Sequence, residues 1–257
     1  MFHPIARTIE ELAANAWPAA VTQAVDGWRL RFNWGVTSRA NSVWPNDSGG
    51  AVPLGEKIAE AESFYARRGL PSCFQISPAA QPAELDGMLA RRGYGLRSPT
   101  SVQTASIDEI AQRTAGRPRA EIALRDAPDQ AWSDTYARAG AMSDHEQRMR
   151  RGILERIGPR AAYALARLDG QPAAVGLGVL ERGWLGVFCM ETLPEMRRRG
   201  AAVSILAALA DWAREGGAAF AYLQVVEANA PAAGLYARAG FAAQYRYHYR
   251  VATTIAV

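Results

Sequence analysis

A seven-residue turn, Met196-Arg197-Arg198-Arg199-Gly200-Ala201-Ala202, constrains this chain more than any other stretch. Before it runs Trp184-Leu185-Gly186-Val187-Phe188-Cys189-Met190, short, apolar and bounded by Gly183 and Pro194, which predicts a buried strand. After it, Val203, Leu206, Leu209, Ala210 and Ala213 recur at helical spacing until Gly216-Gly217. Strand, tight basic turn and helix in this order make an anion site. The first turn of a helix has unpaired N–H groups at the positive end of its dipole. Gly200, Ala201 and Ala202 let a ligand approach the backbone, and the arginines add charge-assisted donors. A pyrophosphate suits such a place. A plain helix start under a solvated basic cluster has the same spacing.

Arg197-x-x-Gly200-x-Ala202 matches the Q/R-x-x-G-x-G/A signature of the GCN5-related N-acetyltransferases (GNAT family), and the stretch from Met190 to Gly200 resembles that family's approach to its coenzyme A loop. A second block follows in the right order. Phe220 to Val225 resembles the family's next strand, and Asn229-Ala230-Pro231-Ala232-Ala233-Gly234-Leu235-Tyr236-Ala237-Arg238-Ala239-Gly240-Phe241 resembles its N-x-x-A-x-x-L-Y-x-x-x-G-F segment. The resemblance implies an α/β fold with a central mixed sheet flanked by helices. It also implies direct transfer of the acetyl group of acetyl-CoA to a primary amine, with no metal. The rival is an acyl-CoA-binding sensor or interaction module that kept the phosphate loop and lost turnover.

Composition narrows the classes. At 257 residues the chain has material for one large or two modest domains. No apolar run reaches the roughly 18 residues of a membrane span, and the first residues lack the core of a signal peptide, so a cytoplasmic protein is expected. Cys73 and Cys189 are the only cysteines and sit in apolar runs, which predicts buried thiols. Three histidines in no spaced cluster argue against structural zinc. The net charge of +4 rests on scattered arginines without a long basic tail, which argues against nucleic acid as a partner.

Along the chain, residues 8–16 read as a short helix, and Trp28, Leu30 and Phe32 alternate with Arg29 and Arg31 as a half-buried strand, with 39–44 as hairpin partner. Gly27 to Arg31 and Arg39 to Val43 resemble the opening of a bacterial group with two GNAT-like units in one chain. Helices are predicted over 54–68 and 82–92 and a strand over 73–76. An internal repeat shows: Leu89-Ala90-Arg91-Arg92-Gly93-Tyr94 echoes Tyr236 to Phe241, and the helix and strand before it mirror those of the second half. The first copy lacks the R-x-x-G-x-A turn and has Leu89 where the second has Tyr236. We therefore expect a degenerate copy over 1–115 and a catalytic domain over 116–257, joined near Arg113 to Arg119. From Glu121 to Val251 the pattern is β-α-α-β-β-β-α-β-α-β, with Asp169-Gly170 a hairpin turn, and this order fits the GNAT fold.

The chemistry requires a neutral amine, a stabilised oxyanion and a proton for the leaving thiolate. By resemblance Tyr236 faces the coenzyme A sulfur as proton donor; a tyrosine packed at the sheet edge is the other reading. Glu191 is the carboxylate candidate for the base, or else a solvated charge at a strand end. Phe188, Cys189 and Met190 are expected to meet the pantetheine arm through main-chain groups, and Arg197, Arg198, Arg199, Gly200, Ala201 and Ala202 the phosphates. Asn229 contacts the arm by resemblance, or caps a helix, or both. Asp144 and His145 stand where the family builds its acceptor site, for a small-molecule amine; Asp144 alternatively caps the next helix. A homodimer is compatible with this reading. The alternating tail Tyr245-Arg246-Tyr247-His248-Tyr249-Arg250 predicts a last strand with tyrosines inward and Arg and His outward.

Overall fold

A computed structural model describes residues 4–47, 49–116 and 120–255. In chain order its elements are α1 (Pro4–Ala16), β1 (Val21–Val25), β2 (Trp28–Phe32), β3 (Val43–Trp44), α2 (Leu54–Ala66), β4 (Cys73–Ile76), α3 (Leu85–Arg91), β5 (Gly95–Ser106) and α4 (Ile107–Thr114). Then follow β6 (Glu121–Arg125), α5 (Gln130–Ala139), α6 (Asp144–Glu155), β7 (Arg160–Leu168), β8 (Gln171–Glu181), β9 (Trp184–Thr192), α7 (Ala201–Glu215), β10 (Phe220–Val226), α8 (Ala230–Arg238) and β11 (Ala242–Val251). The class is mixed α/β, and from β6 onward the order of elements is the one expected. No helix among the described residues is long and apolar enough to cross a membrane.

Two compact units form, and they do not follow the expected division at 115/116. One comprises 1–101, 149–156 and 245–257; the other comprises 102–148 and 157–244. Strand pairing is the physical reason. β11, from the end of the chain, pairs antiparallel with β4, His248 opposite Ile76, and so belongs with the first unit. The later part of β5 lies beside β10 in the second. The expected linker was placed on a segment whose residues 117–119 lie outside the described ones, while its start, Arg113, is still in α4.

In the first unit the strand order is β1-β2-β3-β4-β11. β1, which the sequence reading missed, joins β2 through Asp26 and Gly27, both at positive φ (43° and 85°), the tight hairpin turn that suits right-twisted strands. β2 also pairs with β3, as expected of Val43 and Trp44. β3 and β4 are parallel across α2, the same strand-helix-strand unit that β9, α7 and β10 make in the second half. One face of this sheet packs Trp28, Leu30, Ile58, Phe64, Phe74 and Leu89 into a core. The opposite face departs from the alternation. Arg31, expected outside, is buried and donates to the Ser42 carbonyl, Ser42 Oγ and Gln75 Oε1. Gln75 in turn donates to Glu10 of α1, which also accepts the Tyr245 hydroxyl at 2.8 Å. Burial holds the Glu10 carboxyl above its usual range, and the Tyr245 and Gln75 bonds with the charge of Arg31 work against that. Tyr245, Tyr247 and Tyr249 are buried, as expected. His248 and Arg250 reach Asp86 of α3 at 2.9 and 2.7 Å rather than open solvent.

Five tyrosines, Tyr65, Tyr94, Tyr163, Tyr236 and Tyr249, have hydroxyls pushed above the ordinary phenol range, in each case chiefly by burial. Each keeps its proton in the folded chain at a pH where the unfolded chain, with a phenol pKa of about 10, releases it. Stability is therefore fully present below about pH 10 and falls as pH rises beyond it, with a slope set by the protons only the folded chain retains. Urea midpoints that decline steeply above pH 10, with the phenolate absorbance of these five appearing only on unfolding, are the expected result; phenolate absorbance of all nine tyrosines in the folded chain near pH 10 would contradict the burial.

The second unit carries strands in the order β5-β10-β9-β8-β7-β6. Hairpin turns at Asp169-Gly170 and Arg182-Gly183, all at positive φ, join β7 to β8 and β8 to β9. β9 and β10 are the parallel pair. α7 lays Ala201, Ile205, Leu206, Leu209, Ala210 and Ala213 on this sheet, a stripe at helical spacing, and ends at Gly216.

Candidate active site

Two features of β9 open a cleft at the end of the parallel pair. Its pairing with β10 runs from Trp184 opposite Phe220 to Val187 opposite Leu223 and stops, although both strands continue. Against β8, Val175 faces Glu191 and Leu177 faces Phe188, so Cys189 and Met190 together oppose the single residue Gly176. This is a β-bulge, and Cys189 takes the strain at φ 50°. The Gly176 carbonyl, at the interruption, accepts from the indole N–H of buried Trp132 at 3.2 Å. Trp132 is fixed by α5, whose cap Asp129 accepts from the Trp132 backbone N–H at 2.8 Å.

Beyond β9 the chain makes a short turn of 3₁₀ helix over Pro194–Met196 and enters α7 through two left-handed residues, Arg198 at φ 63° and Gly200 at φ 88°. Gly200 is the N-cap of α7 and gives no side-chain bond to it. The N–H groups at the start of the first turn thus keep their donors for something else. A cleft of about 760 Å³ lies there, bordered by the end of β9, this turn, the start of α7 and one face of α8.

Of the expected residues, Met190, Glu191, Arg197, Arg198, Gly200, Ala201, Ala202, Asn229 and Tyr236 line this one cleft. Arg199 does not: its guanidinium turns back to Asp169 of the β7–β8 hairpin at 2.7 Å. Phe188 is buried with its ring 6.0 Å from that of Tyr222, and Cys189 is half-buried; neither side chain lines the cleft. Asp144 and His145 are exposed in the first turn of α6, away from the lining. Nor is Asp144 the cap of that helix. Ser143 Oγ accepts from the Glu146 backbone N–H at 3.3 Å, while the Glu146 carboxylate accepts from the Ser143 backbone N–H at 2.9 Å, a reciprocal capping box.

Asn229 is the N-cap of α8, its Oδ1 accepting from the Ala232 N–H at 3.2 Å, and it borders the cleft as well. Tyr236 is 7% exposed and packs edge-on against Phe241 at 5.9 Å. Burial first, and then the negative charge of Glu191, push its hydroxyl well above the usual phenol range. The phenol therefore stays protonated, and the two groups feel each other across the same space. Arg238 lines the cleft too and was not singled out from the sequence. The signal was available: Pro231, Leu235 and Arg238 recur at helical spacing on a face of α8. Chemically, the cleft joins an anion-accepting helix terminus to a neutral phenol beside a carboxylate.

Known proteins place this architecture. Residues 5–250 match the family model described as "Probable histone acetyltransferase Rv0428c C-terminal". The chain is 34% identical over 245 residues to the uncharacterised N-acetyltransferase YobR of Bacillus subtilis (strain 168), covering 95% of this chain and 98% of that one. Among solved structures it is similar to a GCN5-related N-acetyltransferase from Kribbella flavida, with a TM-score of 0.71, 16% identity and 95% of each chain covered. It is also similar to a tandem GNAT protein from the clavulanic acid biosynthesis pathway, with a TM-score of 0.60, 14% identity, and 95% of this chain and 87% of that one covered.

Proposed function

We propose, from the premise that this chain belongs to the GCN5-related N-acetyltransferases through the Rv0428c C-terminal family, that its cleft binds acetyl-CoA and that the chain passes the acetyl group directly to a primary amine. The observation that carries the reading is the shared cleft: Tyr236 and Glu191 interact within it, and the first turn of α7 borders it. The residues fit the co-substrate. Gly200 at φ 88° leaves the first-turn N–H groups of Ala201 and Ala202 for a pyrophosphate, and Arg197, Arg198 and Arg238 supply positive charge. The ladder between β9 and β10 ends at Val187 opposite Leu223, and a pantetheine arm laid along residues 188–190 would follow β9 from that point. Asn229 serves both as cap and as a neighbour of that arm.

Glu191 takes the amine's proton, directly or through water, so that the neutral amine attacks the thioester carbonyl. Tyr236 donates toward the departing thiolate. A raised phenol pKa makes the hydroxyl a hydrogen-bond donor that helps the thiolate leave rather than a strong acid. Arg199, held by Asp169, orders the turn. The half-buried Cys189 stands outside the lining, and we assign it no nucleophilic role. The N-terminal copy, without an anion turn, packs and contributes no acyl-CoA chemistry. The cytoplasm, which holds acetyl-CoA and keeps the thiols of Cys73 and Cys189 free, is the proposed location.

For the acceptor we favour a small-molecule amine; the family's description as a probable histone acetyltransferase favours a protein amine as the second reading. Calorimetry with acetyl-CoA, followed by coenzyme A release with a panel of small amines and lysine-containing peptides, tests both. Binding at one site per chain and turnover with a member of either class support the proposal. A folded chain that binds no acetyl-CoA overturns it. With an acceptor in hand, Glu191→Gln is expected to lower kcat/KM about 10²-fold at neutral pH, the loss shrinking as pH rises and the amine gives its proton to solvent instead. It also removes the charge that helps hold Tyr236 protonated, so the Tyr236 pKa falls.

A further inference from the structure

The bulge on β9 has a socket. A Cβ built on Gly176 would stand 2.7 Å from Met190 Sδ and 2.5 Å from Ile205 Cγ2, so the Met190 thioether occupies the space where any side chain at 176 would be. The same Met190 lines the cleft and precedes Glu191. Two fixed groups frame the socket: Trp132 holds the Gly176 carbonyl from behind, and Ile205 is fully buried on α7. Met190 is the adaptable part of this corner, an unbranched side chain half-buried against the core.

We infer that the Met190 side chain, seated over Gly176, sets the depth of the acyl end of the cleft and restricts the chain to short acyl groups. The inference rests on the acetyl-CoA reading above. If the phosphates lie at the start of α7, the thioester lies toward Tyr236 and Glu191, and the terminal carbons of the acyl group point at the corner that Met190 fills. Gly176 matters because it lets the thioether recede. Without that socket Met190 would be displaced toward the cleft, and without Met190 the socket over Gly176 would become part of it.

The test needs no acceptor. Affinities of coenzyme A, acetyl-CoA, butyryl-CoA and hexanoyl-CoA are measured by calorimetry on the full chain, its Met190→Ala variant and its Met190→Leu variant. The parent chain should prefer acetyl-CoA to hexanoyl-CoA by at least about tenfold, and Met190→Ala, by removing Cγ, Sδ and Cε, should remove or reverse that preference. Met190→Leu, close in volume, should keep it. Each acyl-CoA affinity is read as a ratio to that of coenzyme A in the same protein, which separates an acyl effect from any general change in binding. Coenzyme A binding with the same acyl preference in the parent and in Met190→Ala overturns this inference and leaves the acetyl-CoA reading intact. No coenzyme A binding by the parent chain overturns that reading itself.

Discussion

Arg198→Glu combined with Gly200→Asp is expected to abolish acetyl-CoA binding. Gly200 caps α7 at φ 88°, a conformation that costs an L side chain roughly 1–2 kcal/mol, so aspartate there either strains the cap or shifts the helix start. Its carboxylate would also compete for the first-turn N–H groups that the phosphates require, and Arg198→Glu reverses a charge on the rim of the same cleft. Charge-assisted hydrogen bonds to an anion contribute roughly 1.5–3 kcal/mol each, so losing two or three of them lowers affinity by at least about 10²-fold. For the fold the two effects of Gly200→Asp oppose each other, left-handed strain of roughly 1–2 kcal/mol against a gain of about 0.3–1 kcal/mol from an acidic residue at a helix N-terminus, so the variant should remain folded with a slightly lowered melting temperature. Calorimetry with acetyl-CoA, beside a thermal melt, checks both. Unchanged affinity in a folded variant would remove the phosphate assignment. Arg199→Glu is the contrasting variant, since Arg199 is engaged with Asp169; its effect on affinity should be far smaller.

The difference between Arg198 and Arg199 marks the limit of what the sequence makes legible. Three consecutive arginines are equivalent as text. Which of them borders the cleft depends on a left-handed residue at 198 and on an aspartate 30 positions upstream. The start of α7, its apolar stripe and the α8 segment were readable because the signals are local: a glycine that must take positive φ, and side chains repeating at helical spacing. Arg238 was readable by the same spacing. Helix α4 was too, for Ser106 caps it by accepting from the Glu109 N–H at 3.1 Å, and Ser106-Ile107-Asp108-Glu109 is a capping-box pattern.

Other features are tertiary and leave no local trace. β5 passes through Arg97-Ser98-Pro99-Thr100, a polar stretch with a proline that reads as loop and becomes strand only through its neighbours. Arg31 breaks the in-out alternation of β2 because α1 covers what would otherwise be the solvent face, and its Glu10, with Gln75 and Ser42, supplies the polar partners that make burial tolerable. The boundary between the units follows the placement of β5 and β11, which is a matter of pairing between distant strands rather than of composition at residue 115.

Tyr236→Phe should lower kcat about 10²-fold while leaving acetyl-CoA affinity within about twofold. The substitution keeps the ring, its 5.9 Å edge contact with Phe241 and its burial, and it removes only the hydroxyl. That hydroxyl has no hydrogen-bond partner among the described residues, so its loss strands no buried donor or acceptor and the melting temperature should hold. The pH dependence separates a proton donor from a packing residue. Burial and the charge of Glu191 both raise the phenol pKa, so Tyr236 remains a donor throughout the range in which an amine acceptor becomes neutral. The wild-type rate should therefore climb with pH as the amine loses its proton and show no falling limb from Tyr236 below about pH 10. The Phe variant should follow the same limb at a uniformly lower rate, because the missing donor serves the thiolate rather than the amine. A leaving group that needs less help tests the assignment from the other side: with an acetyl donor of lower thiol pKa, the penalty of Tyr236→Phe should shrink. A wild-type rate in Tyr236→Phe with the natural donor would reduce the tyrosine to a ring packed on Phe241. Departure of the thiolate would then depend on the backbone of β9 and on water.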